Sequence, residues 1–372
     1  MGFKKKIRFI HKWLGLLSGL IVFIVSITGC IYCFHDEIKD ITRGWRIVLE
    51  EKKPYVAPSK LQKQTLERYP GADASMVIYA GKGRPAMVYS TINEAPHYVY
   101  YNPYTGAHLH TENLEEDFFY IVEMIHLYLL LPPQVGRHVV GIATIIFIFL
   151  LITGIIQWWP KRKKHLKDRL LVKWKARWRR INYDLHNVTG FYISVVALII
   201  AITGLNFAYE WAEDAIYYGG NLGKDYPEEH AEPVVDTTLT RKDPHAALDK
   251  AFEQTLRLAP TKGMYFIWDK GAKAPIVTGS YPDALEYDHQ TNLFFRPSDG
   301  AVIKVQRYED KSTGMKLREM SYGLHTGQYF GLTGKIIAFL ASLMAAMLPV
   351  TGLIIWWGRR NKMGKKKKKA AL

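Results

Sequence analysis

The stretch Thr153-Gly-Ile-Ile-Gln-Trp-Trp159 closes one long apolar run, and Thr351-Gly-Leu-Ile-Ile-Trp-Trp357 closes another with the same spacing from Thr-Gly to Trp-Trp. Towards the start of each run stands a histidine, His126 in one and His325 in the other. Two further runs open on a histidine, at His11-Lys-Trp-Leu-Gly15 and His186-Asn-Val-Thr-Gly190. Each reaches a Thr-Gly step 17 residues after its histidine, at Thr28-Gly29 and Thr203-Gly204. The chain is therefore an internal repeat of two halves, each carrying two apolar runs and two histidines.

The apolar runs at 13–34, 135–159, 190–211 and 332–357 are each long enough to cross a hydrocarbon core of ~30 Å at ~1.5 Å per helical residue. The chain has 372 residues, of which 48% are hydrophobic, and its mean hydropathy is near zero. Membrane spans alternating with water-soluble segments average to such values, whereas one soluble domain does not explain four such runs. An imidazole in a membrane is costly unless it has a partner, so four histidines at matched positions read as ligands. Haem iron takes two axial imidazoles, and two pairs suggest two haems.

The basic residues set the expected orientation. Residues 1–12, 160–186 and 358–372 hold 24 Lys or Arg against Asp168 and Asp184, a net +22, which leaves −6 for the rest of a +16 chain. Such asymmetry places both termini and the 160–186 loop in the cytoplasm. The charge sits in juxtamembrane clusters such as Lys161-Arg-Lys-Lys164 and 365–369, which suit anionic lipid headgroups rather than nucleic acid. The first run follows Lys4-Lys-Lys6 as a signal peptide would. It lacks a small-x-small cleavage site and carries part of the repeat, so it reads as an uncleaved anchor.

Two soluble segments then face outward, and they resemble each other. In the first a helical stretch precedes alternating runs such as His97-Tyr-Val-Tyr-Tyr101 and the turn Asn102-Pro-Tyr-Thr-Gly106. In the second the last hairpin turns at Arg296-Pro-Ser-Asp-Gly300. Helix followed by antiparallel hairpins is a small α+β module, present twice.

These span motifs and the Pro-Tyr-Thr-Gly hairpin resemble the PepSY-associated transmembrane family, which includes iron-regulated inner-membrane proteins and haem-containing siderophore reductases such as the ferrioxamine reductase. The resemblance implies a membrane α-helical fold: a four-helix transmembrane bundle with two extracytoplasmic α+β PepSY-like modules, in a bacterial inner membrane. The segments are then a first span in 1–38, a module in 39–117, a second span with an outer extension in 118–160, and a basic cytoplasmic loop in 161–182. A third span in 183–212, a second module in 213–317, a fourth span with an outer extension in 318–358 and a basic tail in 359–372 complete the chain. It also implies b-type haem and reduction of a ferric siderophore, or another ferric chelate, from Fe(III) to Fe(II).

By topology His11 and His186 form the inner pair, and His126 and His325 the outer. His126 lies 32 residues before Trp158 and His325 lies 31 before Trp356. As continuous helix either stretch would be roughly 45–50 Å, longer than the core, so each must break or protrude. Pro132-Pro133 and the glycine-rich run from Gly323 to Gly334 are the expected breaks. His138, nearer the expected hydrocarbon boundary, is an alternate to His126. Gly15 and Gly190 lie one turn from His11 and His186, where they could admit a porphyrin or simply let helices pack closely.

Other features are weaker. His108 and His110 alternate along a strand and would share a face, solvated or metal-binding. Cys30 and Cys33 lack the adjacent histidine of a Cys-x-x-Cys-His attachment site, His35 standing one residue too far on, so free thiols and non-covalent haem are expected. Tyrosines such as Tyr98, Tyr100, Tyr101, Tyr217 and Tyr322 could line a substrate cleft, although for each a core or interfacial place is the simpler reading. With no Gly-rich dinucleotide fingerprint, electrons must come from quinol or a separate flavin reductase. Two further classes fit the sequence: an electron-transfer subunit for another acceptor, and a non-redox PepSY peptide-binding or regulatory membrane protein.

Overall fold

The computed structural model describes residues 2–160, 162–236, 241 and 243–370, and their side chains except those of 163 and 361–370. Lys161, at the head of the basic loop, and the side chains of the tail lysines 365–369 lie outside the described residues. Among the described residues, four helices are long and apolar enough to cross a membrane: Phe3–Tyr32, Pro133–Trp158, Trp178–Ala208 and Gln328–Arg360, of 30, 26, 31 and 33 residues. These are spans one to four of a multi-pass membrane protein. Spans one and three start earlier than their apolar runs, because the basic segments ahead of them contain neither glycine nor proline and continue the helix. Arg180 and Asp184, four residues apart at 2.8 Å, brace that extension in span three. The same helix widens into a π-helical turn over Leu185–Thr189, with His186 inside it. Such turns are frequent at functional positions.

Both long stretches break where expected. Helix Phe118–Tyr128 carries His126 and ends in the left-handed pair Leu129 and Leu130, after which Pro133 opens span two. The chain doubles back so tightly that a Cβ on Gly136 would stand 2.3 Å from the Tyr128 carbonyl oxygen. Helix Ser321–Thr326 carries His325 and stops at Gly327, whose φ of +79° excludes most side chains. Gly327 and Gly334 face one another backbone to backbone, with a Cβ on either only 2.1–2.2 Å from the other's oxygen. Each histidine thus rides a short helix folded back from the span that follows it.

In the bundle, span one packs against spans two and four, and span three against the same two. The seams are built of small residues. Ser18, Ala143, Ala197, Ala201, Ala341 and Ala345 are buried there, and Gly19 lies against Pro349, 3.3 Å from where its Cβ would be. Lipid gives no hydrophobic drive for helices to associate, so close backbone approach and dispersion do that work.

The chain divides into two compact units: Met1–Phe34, Val122–Glu213 and Leu324–Leu372 form the helical one, and His35–Ile121 with Asp214–Gly323 the other. In the second unit, helix Pro58–Arg68 precedes strands β1 (Asp73–Tyr79), β2 (Ala86–Ile92), β3 (Ala95–Tyr101) and β4 (His108–Asn113). Helix Pro244–Leu258 precedes β5 (Tyr265–Asp269), β6 (Ile276–Ser280), β7 (Thr291–Phe295) and β8 (Val302–Gln306). Read as two modules, these segments form one eight-stranded antiparallel sheet, β4-β3-β2-β1-β5-β6-β7-β8. The first strand of each repeat pairs with the other, Val77 opposite Ile267 and Tyr79 opposite Tyr265, so neither repeat keeps an open inner edge. One shared core joins them, with Leu61, Val88 and Val99 from one repeat and Leu248, Ile267 and Phe295 from the other all under 2% exposed. Asp249 of the second helix accepts from Ser59 N–H and Oγ–H at 3.0 and 2.6 Å, capping the first helix.

One expectation fails here. Tyr100 is opposite His110 but Tyr101 is opposite His108, so Leu109 is a bulge. The extra residue puts the two histidines on opposite faces of the sheet. His110 stacks on Trp45 at 3.9 Å, while His108 packs on Tyr101 and bonds Thr111 Oγ1 at 2.9 Å. They cannot share a metal ion. The same slip recurs between β7 and β8, where Phe294 faces Lys304 and Phe295 faces Val302.

Candidate functional site

Each Thr-Gly step clasps a histidine, and the clasps are reciprocal within each half. His11 of span one lies against Thr153-Gly154 of span two, with Nδ1 2.8 Å from Thr153 Oγ1. His126, ahead of span two, lies against Thr28-Gly29 of span one, Nδ1 3.1 Å from Thr28 Oγ1. The second half repeats this: His186 meets Thr351 at 2.9 Å, and His325 meets Thr203 at 3.3 Å. The contacts also show that spans one and two run antiparallel, as do three and four. One end of the bundle therefore carries His11 and His186, and the other His126 and His325.

At three of the four steps the glycine makes room for the ring, and at Gly154 the fit is ordinary contact. A Cβ on Gly29, Gly154, Gly204 or Gly352 would stand 3.2, 3.7, 3.0 or 3.3 Å from the Cε1 of the clasped histidine. Gly15 and Gly190 act differently. Leu150 and Leu348 of the partner span lie 3.9 and 3.5 Å from their Cβ positions, which is ordinary helix packing.

Donor counting fixes the proton on two rings directly and assigns it on the other two through their threonines. A carbonyl oxygen only accepts, and Val25 O lies 2.9 Å from His126 Nδ1 and Ile200 O 2.8 Å from His325 Nδ1. Both Nδ1 atoms therefore carry hydrogen. Each clasping threonine gives its one hydroxyl proton to a carbonyl in its own helix, as Thr153 does to Phe149 O and Thr351 to Met347 O, both at 2.8 Å. Their oxygens can then only accept from His11 and His186. All four rings are held as the Nδ1–H tautomer, which leaves the Nε2 lone pair to bind a metal.

Across the halves the rings meet in pairs. His11 and His186 have centroids 6.5 Å apart at 88°, and His126 and His325 6.0 Å apart at 75°. A ring nitrogen sits about 2.0 Å from a first-row metal and about 1.1 Å from its own ring centre, so two rings facing each other across one ion stand about 6.2 Å apart. Among the described residues no three His, Cys, Asp or Glu form a cluster. Two imidazoles match the two that a haem iron takes from protein, and would hold such a group between them. The donor set fits haem.

His138 is placed elsewhere, its ring stacked on Tyr209 at 5.7 Å. Cys30 and Cys33 are buried and outside any disulfide, Cys33 donating to Lys335 O at 3.2 Å. Tyr100, Tyr101 and Tyr217 are no more than 2% exposed, which removes them from any substrate surface. Tyr100 donates to Glu112 at 2.6 Å, and burial, then that carboxylate, pushes its phenol well above the usual range.

Two repeated helix pairs, with one histidine pair at each end of the bundle, define a class of multi-pass helical membrane protein. The chain belongs to the family described as PepSY-associated TM region, which matches residues 8–359. A comparison with curated protein sequences finds no match.

Proposed function

We propose that the protein is a di-haem b electron carrier of the inner membrane that reduces a ferric siderophore, or a similar ferric chelate, on the extracytoplasmic side. The observation that carries this reading is the pairing of four histidines at both ends of the bundle, each with its Nδ1 against a Thr-Gly step so that Nε2 is left for a metal. His11 with His186 would hold one haem, and His126 with His325 the other. When bound, haem supplies a one-electron Fe(III)/Fe(II) couple. The chain's own part is to present the Nε2 atoms, orient the rings through the threonines, and keep lipid and water out with its small-residue seams. Along span one, His11 and Thr28 are 17 residues apart, so the two pairs are separated by about 25 Å, most of the hydrocarbon thickness.

Each electron delivered converts one chelated Fe(III) to Fe(II), for which hard oxygen donors are poorer ligands, so the metal is released without breaking the chelator. Quinol or a separate flavin reductase would supply the electrons. Protein reduced with dithionite is expected to be reoxidised by an added ferric siderophore, with ferrozine reporting Fe(II). If the haem stays reduced with every ferric chelate but reoxidises rapidly with another acceptor, the siderophore assignment fails and only electron transfer across the membrane remains.

The +22 and −6 charge split supports cytoplasmic termini, with anionic lipid at the basic clusters. Reporters fused after Leu372 or inserted at Lys167 should then behave as cytoplasmic, and those at Lys82 or Gly271 as external. Cytoplasmic signals from Lys82 or Gly271 would overturn this orientation.

A further inference from the structure

We infer that the four threonines of the Thr-Gly steps are positioning residues that set the redox potentials of the two centres, and that Thr153, the partner of His11, has the largest effect. This rests on the haem reading above. The four clasps are not equivalent. His126 and His325 each have a carbonyl acceptor closer than the threonine, Val25 O at 2.9 Å against 3.1 Å and Ile200 O at 2.8 Å against 3.3 Å. His186 has Thr351 Oγ1 at 2.9 Å with the Leu348 carbonyl also in reach. His11 has Thr153 Oγ1 alone among the described residues, and at 2.8 Å its contact is the shortest of the four to a threonine.

An axial imidazole that donates from Nδ1 is a stronger donor to iron and favours the ferric state. The Thr153 hydroxyl is itself polarised by donating to Phe149 O, which makes its oxygen the better acceptor. Removing that hydroxyl leaves the His11 Nδ1–H with no acceptor, weakens the ligand and raises the potential. Removing Thr28 or Thr203 leaves the shorter carbonyl bond in place.

The test is a redox titration of purified, haem-loaded protein followed by absorbance, with electron paramagnetic resonance of the ferric state as a second readout. Thr153→Val is expected to keep both haems and to raise one midpoint, so that at the wild-type midpoint the reduced-to-oxidised ratio rises about threefold to tenfold, tenfold being about 59 mV for one electron. Thr28→Val should move the other midpoint by less than half as much, and Thr153→Ser should restore the wild-type value. Unchanged midpoints in haem-loaded Thr153→Val, or an equal shift in Thr28→Val, would overturn the inference. If Thr153→Val assembles too little haem to titrate, Thr153→Cys provides the weaker acceptor instead; a raised midpoint supports the inference and an unchanged one overturns it. Wild-type protein that purifies without haem would sink the underlying reading before any variant is made, so the two failures are distinguishable.

Discussion

Replacing His11 or His186 with alanine is expected to remove one b-type haem and leave about half of the dithionite-reduced absorbance, and replacing His126 or His325 to remove the other. Each pair takes one ring from each half of the repeat, so a single substitution leaves an iron with one imidazole and an opposing void. The change spares the rest of the bundle, because its seams are made by residues such as Ser18, Ala197 and Ala345 rather than by the histidines. Absorbance of purified protein, normalised to protein content, measures the loss. Full haem content in all four variants would remove the ligand assignment. His138→Ala serves as the control: its ring stacks on Tyr209, and loss of haem there would require the His126 pair to be redrawn.

The apolar runs were legible because they are local, and the histidines because each stands at a matched place in its run; their pairing followed from the alternating direction of the spans rather than from any one strip of chain. The breaks at Pro132-Pro133 and at Gly327 were legible as local features too, since proline and positive-φ glycine act on their own backbone. The clasp was not. Thr153 and His11 are 142 residues apart and meet only through the antiparallel packing of two spans, so the Thr-Gly step looked like a mark of repetition rather than a device. Its signal was present in the sequence, as the one motif that recurs four times in step with the histidines.

Two further features depend on pairing that no single strip encodes. Joining β1 to β5 requires strands nearly 190 residues apart to match edges, and nothing in either alternating pattern names its partner. The Leu109 bulge defeats a period-two reading outright, because one inserted residue reverses every side chain beyond it. The early starts of spans one and three were missed for a different reason. Lysine and arginine mark the limit of the hydrocarbon, but they are good helix formers and the helix runs on through them.

The last expected result concerns the direction of electron flow. In His325→Ala, reoxidation by ferric siderophore should slow by on the order of tenfold or more while the haem held by His11 and His186 remains reducible by dithionite. The two pairs lie about 25 Å apart along span one, and electron transfer falls off steeply with distance, so removing the far pair leaves a single long step in place of two short ones. His325 is suited to this test because its clasp, Thr203-Gly204 with Ile200 O, lies wholly within the second half, and its loss leaves the His11 clasp on Thr153 untouched. Stopped-flow absorbance of the remaining haem, with ferrozine present, follows both sides of the reaction. A siderophore that reoxidises His325→Ala as fast as wild type would mean that the acceptor draws electrons from the His11 and His186 end, and the proposed outward path would have to be reversed or given up. A small, water-soluble oxidant that reaches either end provides the comparison: it should discriminate far less between the two proteins than the bulky chelate does.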